Sequence, residues 1–291
     1  MSTSILKVNP FFDDVMPQEY LELAENGPFD AGKRVRDLGT FKELIEEHPL
    51  CAGCNLALAF RLVVASVPVP EDTIFVGSTG CSSLAFSQLG LHNIHSLFGN
   101  QNAVASGLKR ALQIRFPDRT KDVIVMAGDG ATADIGLDIT LHSWFRGEKI
   151  TTVMFDNELY ANTGGQESGM SQVGSVLNMA PTGKKFRKID LPELARVSGC
   201  AYVAKVSVAR PQVVGRSLRK AVLVARAIGP TYVQVHTPCP TNLKMKPCDG
   251  IQEAEERLKT DYAFLEFISP DAEKFLQTAE TRSSRPAEEK V

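Results

Sequence analysis

The run Val123-Ile124-Val125-Met126-Ala127 is apolar at every position and stops at Gly128-Asp129-Gly130, after which the apolar residues take helical spacing. A strand with no polar side must be covered on both faces, which points to a parallel sheet flanked by helices. Short apolar strands recur at 73–77, 150–155, 201–206 and 231–236. Between them, 57–67, 102–116, 135–145, 191–197 and 211–227 carry helical spacing, the last with Pro211 in its first turn. The alternation predicts an α/β fold: a doubly wound parallel sheet with helices on both faces.

Three segments follow from this pattern. Residues 1–47, with Phe11 and Phe12 in an irregular stretch, read as an N-terminal arm suited to a subunit contact. Residues 48–269 form the domain, and 270–291 a polar C-terminal tail expected to fray. Residues 161–188 are rich in Gly, Ser, Thr and Asn with little periodicity, and a loop of that length inside a domain is usually functional.

Composition excludes several classes. The formal net charge of −2 and scattered basic residues give no electrostatic footprint for nucleic acid. No stretch approaches the roughly 20 apolar residues that cross a bilayer, and the first residues lack the apolar core of a signal peptide. A cytoplasmic protein is expected.

The Gly128-Asp129-Gly130 turn carries the chemistry. Glycines between a strand and a helix let backbone N–H groups approach a phosphate, and the helix start adds partial positive charge. Asp129 would repel that phosphate unless a hard cation lay between them, and Mg²⁺ favours oxygen ligands together with substrate phosphates. The next strand ends in Asp156-Asn157-Glu158-Leu159, so adjacent parallel strands would bring Asn157 beside Asp129. A backbone carbonyl just after Asn157 could supply a third oxygen. Gly-Asp-Gly alone also makes an ordinary tight turn; the second ligand gives it meaning. Neither a Walker A sequence nor GxGxxG occurs.

The six cysteines read better as ligands than as staples in a chain of 291 residues. Cys51 and Cys54 form a CxxC, while Cys81, Cys200, Cys239 and Cys248 are dispersed, and Cys200 sits in an apolar setting suited to a buried, inert thiol. Four thiolates suit either Zn²⁺ or a [4Fe–4S] cluster, and spacing alone favours neither.

The span from Gly128 to Asn157 resembles the thiamine-diphosphate signature. Its continuation, Glu158-Leu159-Tyr160-Ala161-Asn162-Thr163-Gly164-Gly165-Gln166, is similar to the 2-oxoacid:ferredoxin oxidoreductases, the pyruvate-oxidising branch above all. The likeness runs from about His48 to Pro240. It implies that Asp129, Asn157 and the carbonyl of Leu159 hold Mg²⁺ and that Asn162 lies at the reacting ring as the catalytic residue. Gly80, Cys81, Ser82, His95, Gly128, Gly130, Ala131 and Thr163 would contact thiamine diphosphate. It further implies a [4Fe–4S] cluster on Cys51, Cys54, Cys81 and Cys239, with Cys248 the rival fourth ligand.

The family reaction is oxidative decarboxylation of a 2-oxo acid to acyl-coenzyme A and CO2, with electrons leaving through the cluster. The resemblance implies an alpha subunit carrying the activating glutamate and the substrate pocket, and ferredoxin-like iron–sulfur subunits. Pyruvate is the expected substrate, an aryl 2-oxo acid such as phenylglyoxylate the next, and oxalate a third. A non-redox thiamine lyase and a zinc-stabilised assembly subunit are the readings from other classes. Lys184, Lys185, Arg187 and Lys188 are read as a solvated face, with coenzyme A phosphates the alternative.

Overall fold

The computed structural model describes residues 48–283, so the expected N-terminal arm lies outside the described residues. Nine strands occur among the described residues: β1 (Thr73–Ser78), β2 (Asn93–Ser96), β3 (Asp122–Gly128), β4 (Thr151–Asp156), β5 (Leu159–Tyr160), β6 (Gln166–Glu167), β7 (Tyr202–Ser207), β8 (Thr231–His236) and β9 (Leu265–Ile268). The helices are α1 (Asn55–Ser66), α2 (Cys81–Phe86), α3 (Gln101–Arg115), α4 (Leu137–Phe145), α5 (Leu191–Val197), α6 (Pro211–Ala227), α7 (Gly250–Arg257) and α8 (Pro270–Ser283).

Seven strands form one sheet in the order β2-β1-β3-β4-β8-β7-β9, and β5 with β6 makes a separate hairpin. Every pair in the large sheet is parallel except β7 with β9. Alternate strand residues serve the two faces. Ile124, Met126, Val153, Phe155, Val233 and Val235 pack with Phe60 of α1 and Leu218 of α6. On the other face Val123, Val125 and Ala127 meet Ala105 and Leu108 of α3, while Met154, Val203 and Tyr232 surround Trp144 of α4. This is the doubly wound arrangement expected from the apolar strands.

Three features depart from the sequence reading. β2 and β9 were not foreseen as strands; both lie at sheet edges, are short, and are largely exposed, so they lack the apolar run that marks a central strand. The chain does not fray at Pro270, because Ala272, Phe275 and Leu276, at helical spacing, pack α8 onto the core. The helix after Gly-Asp-Gly begins with a π-helical turn, Gly130–Asp134, in which Ile135 N–H donates to the Gly130 carbonyl at 3.1 Å. Such turns concentrate at functional sites. Among the described residues no helix is long and apolar enough to cross a membrane.

Candidate cofactor cavity and cysteine cluster

The C-terminal ends of β1, β3 and β4 open into a cavity of about 180 Å³. From β1 come Thr79, Gly80, Cys81 and Ser82; from β3, Gly128, Asp129, Gly130 and Ala131; from β4, Asn157, Leu159, Tyr160, Ala161, Asn162 and Thr163. Leu56 and Phe98 complete the lining. His95 stays at the rim, exposed, its Nε2 3.2 Å from Oγ1 of Thr79.

Asp129 is 2% exposed and accepts a hydrogen bond from Ser168 Oγ at 2.5 Å on Oδ2. Its Oδ1 stands 3.1 Å from the Asn157 side-chain amide, which in turn is 2.7 Å from the Leu159 carbonyl oxygen. Without a cation the amide nitrogen belongs on this side, where it donates to both oxygens; a bound cation would draw the amide oxygen round instead, and the Leu159 N–H, 3.3 Å away, could then donate to it. In that second orientation the Asp129 carboxylate, the Asn157 amide oxygen and the Leu159 carbonyl would present three oxygens to one point. Cis oxygens around an octahedral Mg²⁺ with bonds of ~2.1 Å are about 3 Å apart, so this donor set suits that ion in spacing and chemistry. With no cation present, burial, followed by repulsion from Asp156, pushes the Asp129 carboxyl well above its ordinary range, and the Ser168 hydrogen bond opposes it.

The loop that carries Asn157 and Leu159 is held from behind. Glu158 adopts φ 66°, the left-handed region that a residue with a Cβ rarely enters. Its carboxylate accepts from Lys188 Nζ at 2.7 Å, Gln172 Nε2 at 2.5 Å and Arg257 Nη2 at 3.0 Å. Burial works against its ionisation, but Lys188 and Arg257 outweigh it and hold the carboxyl below its ordinary range. Asp156 accepts from Gln234 Nε2 and the Tyr262 hydroxyl, both at 2.6 Å, and from Glu158 N–H at 3.1 Å.

These contacts correct the reading of the basic run. Lys184 is buried and donates to the carbonyls of Ser168 and Gly169, and Lys188 is committed to Glu158; Lys185 and Arg187 remain exposed. Residues 161–188 thus fold back onto Asp129 through Ser168. Sequence reasoning overlooked Ser168, Glu158, Phe98 and Tyr160. The packing of Tyr160 on Gly130, where an added Cβ would meet its ring at 2.4 Å, exists only in the fold and leaves no sequence signal.

Cys81 lines the cavity, and Cys51, Cys54 and Cys239 lie near enough to act on its thiol. Cys54 caps α1, and the backbone of Gly53, at φ 71°, lies so close to Pro247 that a Cβ would stand 2.1 Å from its carbonyl oxygen. Asn55, buried, donates from Nδ2 to the Pro238 carbonyl at 3.1 Å, which joins α1 to the loop bearing Cys239. Burial raises the Cys54 thiol, with Cys239 and Cys51 adding to it against two backbone N–H groups. Cys81 is pushed up to about 12 by burial, then by Cys54, Cys239 and Cys51. Cys248 is exposed, donates to Asp249 at 3.3 Å, and is raised by that neighbour with no other sulfur involved. Cys200 is buried at a distance in the core around Trp144. Among the described residues no three His, Cys, Asp or Glu side chains close on one point as ligands of a single metal ion would.

A thiamine pyrophosphate enzyme, C-terminal TPP binding domain, matches residues 78–235, from the last residue of β1 through most of β8, and takes in the cavity lining apart from Leu56. The chain is 34% identical over 215 residues to pyruvate synthase subunit PorB of Methanothermobacter thermautotrophicus, covering 70% of this chain and 73% of that one. This chain is a beta subunit of the 2-oxoacid:ferredoxin oxidoreductase family. The beta subunit is also similar to 2-oxoglutarate synthase subunit KorB of Methanocaldococcus jannaschii, at 32% identity over 72% of this chain and 77% of that one. Ketoisovalerate oxidoreductase subunit VorB of Pyrococcus furiosus is 31% identical over 74% of this chain and 72% of that one. In fold the beta subunit matches 2-oxoglutarate:ferredoxin oxidoreductase from Magnetococcus marinus, with TM-score 0.60, 24% identity, and coverage of 72% and 69%. It is therefore part of a thiamine-diphosphate enzyme that oxidatively decarboxylates a 2-oxo acid.

Proposed function

We propose that this beta subunit binds thiamine diphosphate through Mg²⁺ held by Asp129, Asn157 and the Leu159 carbonyl, and a [4Fe–4S] cluster through Cys51, Cys54, Cys81 and Cys239. The observation that carries the reading is shared lining: Cys81 borders the same cavity as Asp129, Asn157 and Asn162. Cys239 supports the fourth position better than Cys248, because Asn55 ties the loop bearing Cys239 to the helix that follows the CxxC, whereas the Cys248 thiol is exposed and donates to Asp249. The cluster would receive electrons singly. Pyruvate is the proposed substrate and coenzyme A the acyl acceptor, with phenylglyoxylate the second substrate to assay.

When bound, thiamine diphosphate supplies a carbanion that attacks the ketone and a ring that accepts the electrons released with CO2. The chain's own residues prepare for this. Backbone N–H groups of Gly130 and Ala131, at the start of the π-helical turn, would hold the diphosphate. Asp129 and Asn157 would hold the cation that offsets its charge, and Ser168 fixes the Asp129 carboxylate rotamer. Asn162 and Thr163 line the same cavity, and Asn162 is the residue we assign to the ring. The activating glutamate is assigned to an alpha subunit, and ferredoxin-like subunits would take the electrons onward.

Metal and cofactor analysis of the anaerobically purified complex tests this reading. The expected result is equimolar thiamine diphosphate and four irons assigned to this chain, with pyruvate turned over faster than 2-oxoglutarate, 2-oxoisovalerate or phenylglyoxylate. Asp129→Ala should remove thiamine diphosphate and leave the iron. Zinc in place of iron, or thiamine diphosphate with no iron on this chain, would refute the cluster and favour an assembly role or a non-redox lyase.

A further inference from the structure

The segment after Cys239 winds into turns: Leu243 N–H donates to the Cys239 carbonyl at 3.1 Å and Met245 N–H to the Pro240 carbonyl at 2.9 Å. That winding folds Asn242 back over its own cysteine. Nδ2 of Asn242 lies 3.4 Å from Sγ of Cys239 and 3.5 Å from the carbonyl oxygen of Ala161, which lines the cofactor cavity. A thiolate and a carbonyl both accept and neither donates, so the amide nitrogen belongs on this side. The opposite end of the amide presses on Gly165, at φ 99°, where an added Cβ would stand 2.7 Å from Oδ1. The glycine leaves room for this one side chain.

We infer that Asn242 is a positioning residue that couples the cysteine cluster to the cofactor cavity: its amide donates to the Cys239 sulfur and to the Ala161 carbonyl, holding the two walls together and raising the reduction potential of a cluster bound there. The inference rests on the cluster reading above. A donor aimed at a ligating sulfur draws negative charge from the cluster and favours its reduced state, and such bonds are among the factors that set iron–sulfur potentials. Asn242 touches no reacting atom in this arrangement. It would tune where the electron goes without taking part in bond breaking.

The test is a redox titration of the assembled complex, followed by EPR, comparing wild type with Asn242→Ala. The variant should keep its iron and thiamine diphosphate while the equilibrium constant for reducing the proximal cluster falls about tenfold, which is 59 mV for one electron. After exchange into D2O, pulsed EPR should show an amide deuteron near the cluster in wild type and its loss in the variant. An unshifted potential with full iron content overturns the inference. Should Asn242→Ala lose its cluster, Gly165→Ala decides instead: displacing the amide should lower the potential in the same direction, and an unchanged potential there overturns the inference. A wild-type complex with no iron on this chain fails at an earlier step, since it removes the cluster reading itself.

Discussion

Replacing Glu158 by Gln removes one negative charge and changes little else in shape, and its expected effect can be worked from the contacts around it. The Glu158 side chain is 10% exposed, and its two cationic partners, Lys188 and Arg257, are 22% and 21% exposed. Removing one partner of a buried pair costs about 3–5 kcal/mol. Here the remaining groups retain some support: Arg257 keeps Asp261 at 2.7 Å, and Lys188 keeps the Tyr262 ring at 4.3 Å. Partial exposure of both cations screens the loss further, so about 2 kcal/mol is the expected cost. The backbone of Glu158 sits at φ 66°, a conformation that costs about 1–2 kcal/mol for a residue with a Cβ. Without its anchor the loop should relax out of that conformation, and Asn157 and Leu159 move with it. The expected result in Glu158→Gln is a fall in affinity for Mg²⁺ and thiamine diphosphate of about 30-fold, read by calorimetric titration of the apo complex. At saturating cofactor kcat should stay close to wild type, and excess Mg²⁺ should restore activity. Wild-type cofactor affinity in this variant would refute the idea that Glu158 positions the metal loop.

Three further outcomes are expected. Cys239→Ser should lower the iron content of this chain and bleach its visible absorbance, whereas Cys248→Ser should leave both intact; the reverse pattern would reassign the fourth ligand. Gly130→Ala sets a Cβ 2.4 Å from the Tyr160 ring, so overpacking should cost about 1–3 kcal/mol and weaken thiamine diphosphate binding, and an unchanged melting temperature with full binding would count against this packing. His236 is buried and stacked on Tyr262 at 3.7 Å, and burial holds its imidazole well below the usual range. The unfolded chain therefore takes up a proton below pH ~6.5 that the folded chain refuses, and stability falls with pH there by up to about 1.4 kcal/mol per unit. His236→Gln should flatten denaturant-unfolding stability between pH 6.5 and 5.5, and an undiminished slope would show that another group is responsible.

Much of the fold was legible because the central strands are apolar on both faces. The strand Thr231–His236 and the helices Leu191–Val197 and Pro211–Ala227 have the limits that their periodicity suggests. The edge strands were not legible, since Asn93–Ser96 and Leu265–Ile268 bury too little to imprint a pattern. In the site, Asp129 and Asn157 could be paired from the register of adjacent parallel strands. Ser168 could not, because it reaches Asp129 across 39 positions from within a loop that has no period. Lys184 and Lys188 were misread as a solvated face for a related reason. Their partners, the Ser168 and Gly169 carbonyls and Glu158, are set by how that loop closes, and charge alone does not say whether a lysine meets water or a buried acceptor.

Parallel topology also explains why Asp129, Asn157 and the Cys81 thiol border one cavity. All C-terminal ends in a parallel sheet lie along the same edge, and connecting loops there can carry chemistry without disturbing the core. β3 and β4 are adjacent and bring Asp129 and Asn157 within 3.1 Å with little help from their loops. β1 and β8, which lead to Cys81 and Cys239, flank that pair in the order β1-β3-β4-β8. Three strand spacings separate them, about 14 Å. Strand position alone would leave these two thiols too far apart to share a cluster. Bringing them onto one cluster would fall to the loops: α2 begins at Cys81, the chain after β8 bends toward α1, and Asn55 ties that bend to the CxxC turn through Pro238. Substituting Asn55 should therefore loosen the link between the CxxC turn and the Cys239 loop while leaving Asp129 and Asn157 paired, because that pair is fixed by the sheet and the cysteines by the loops above it.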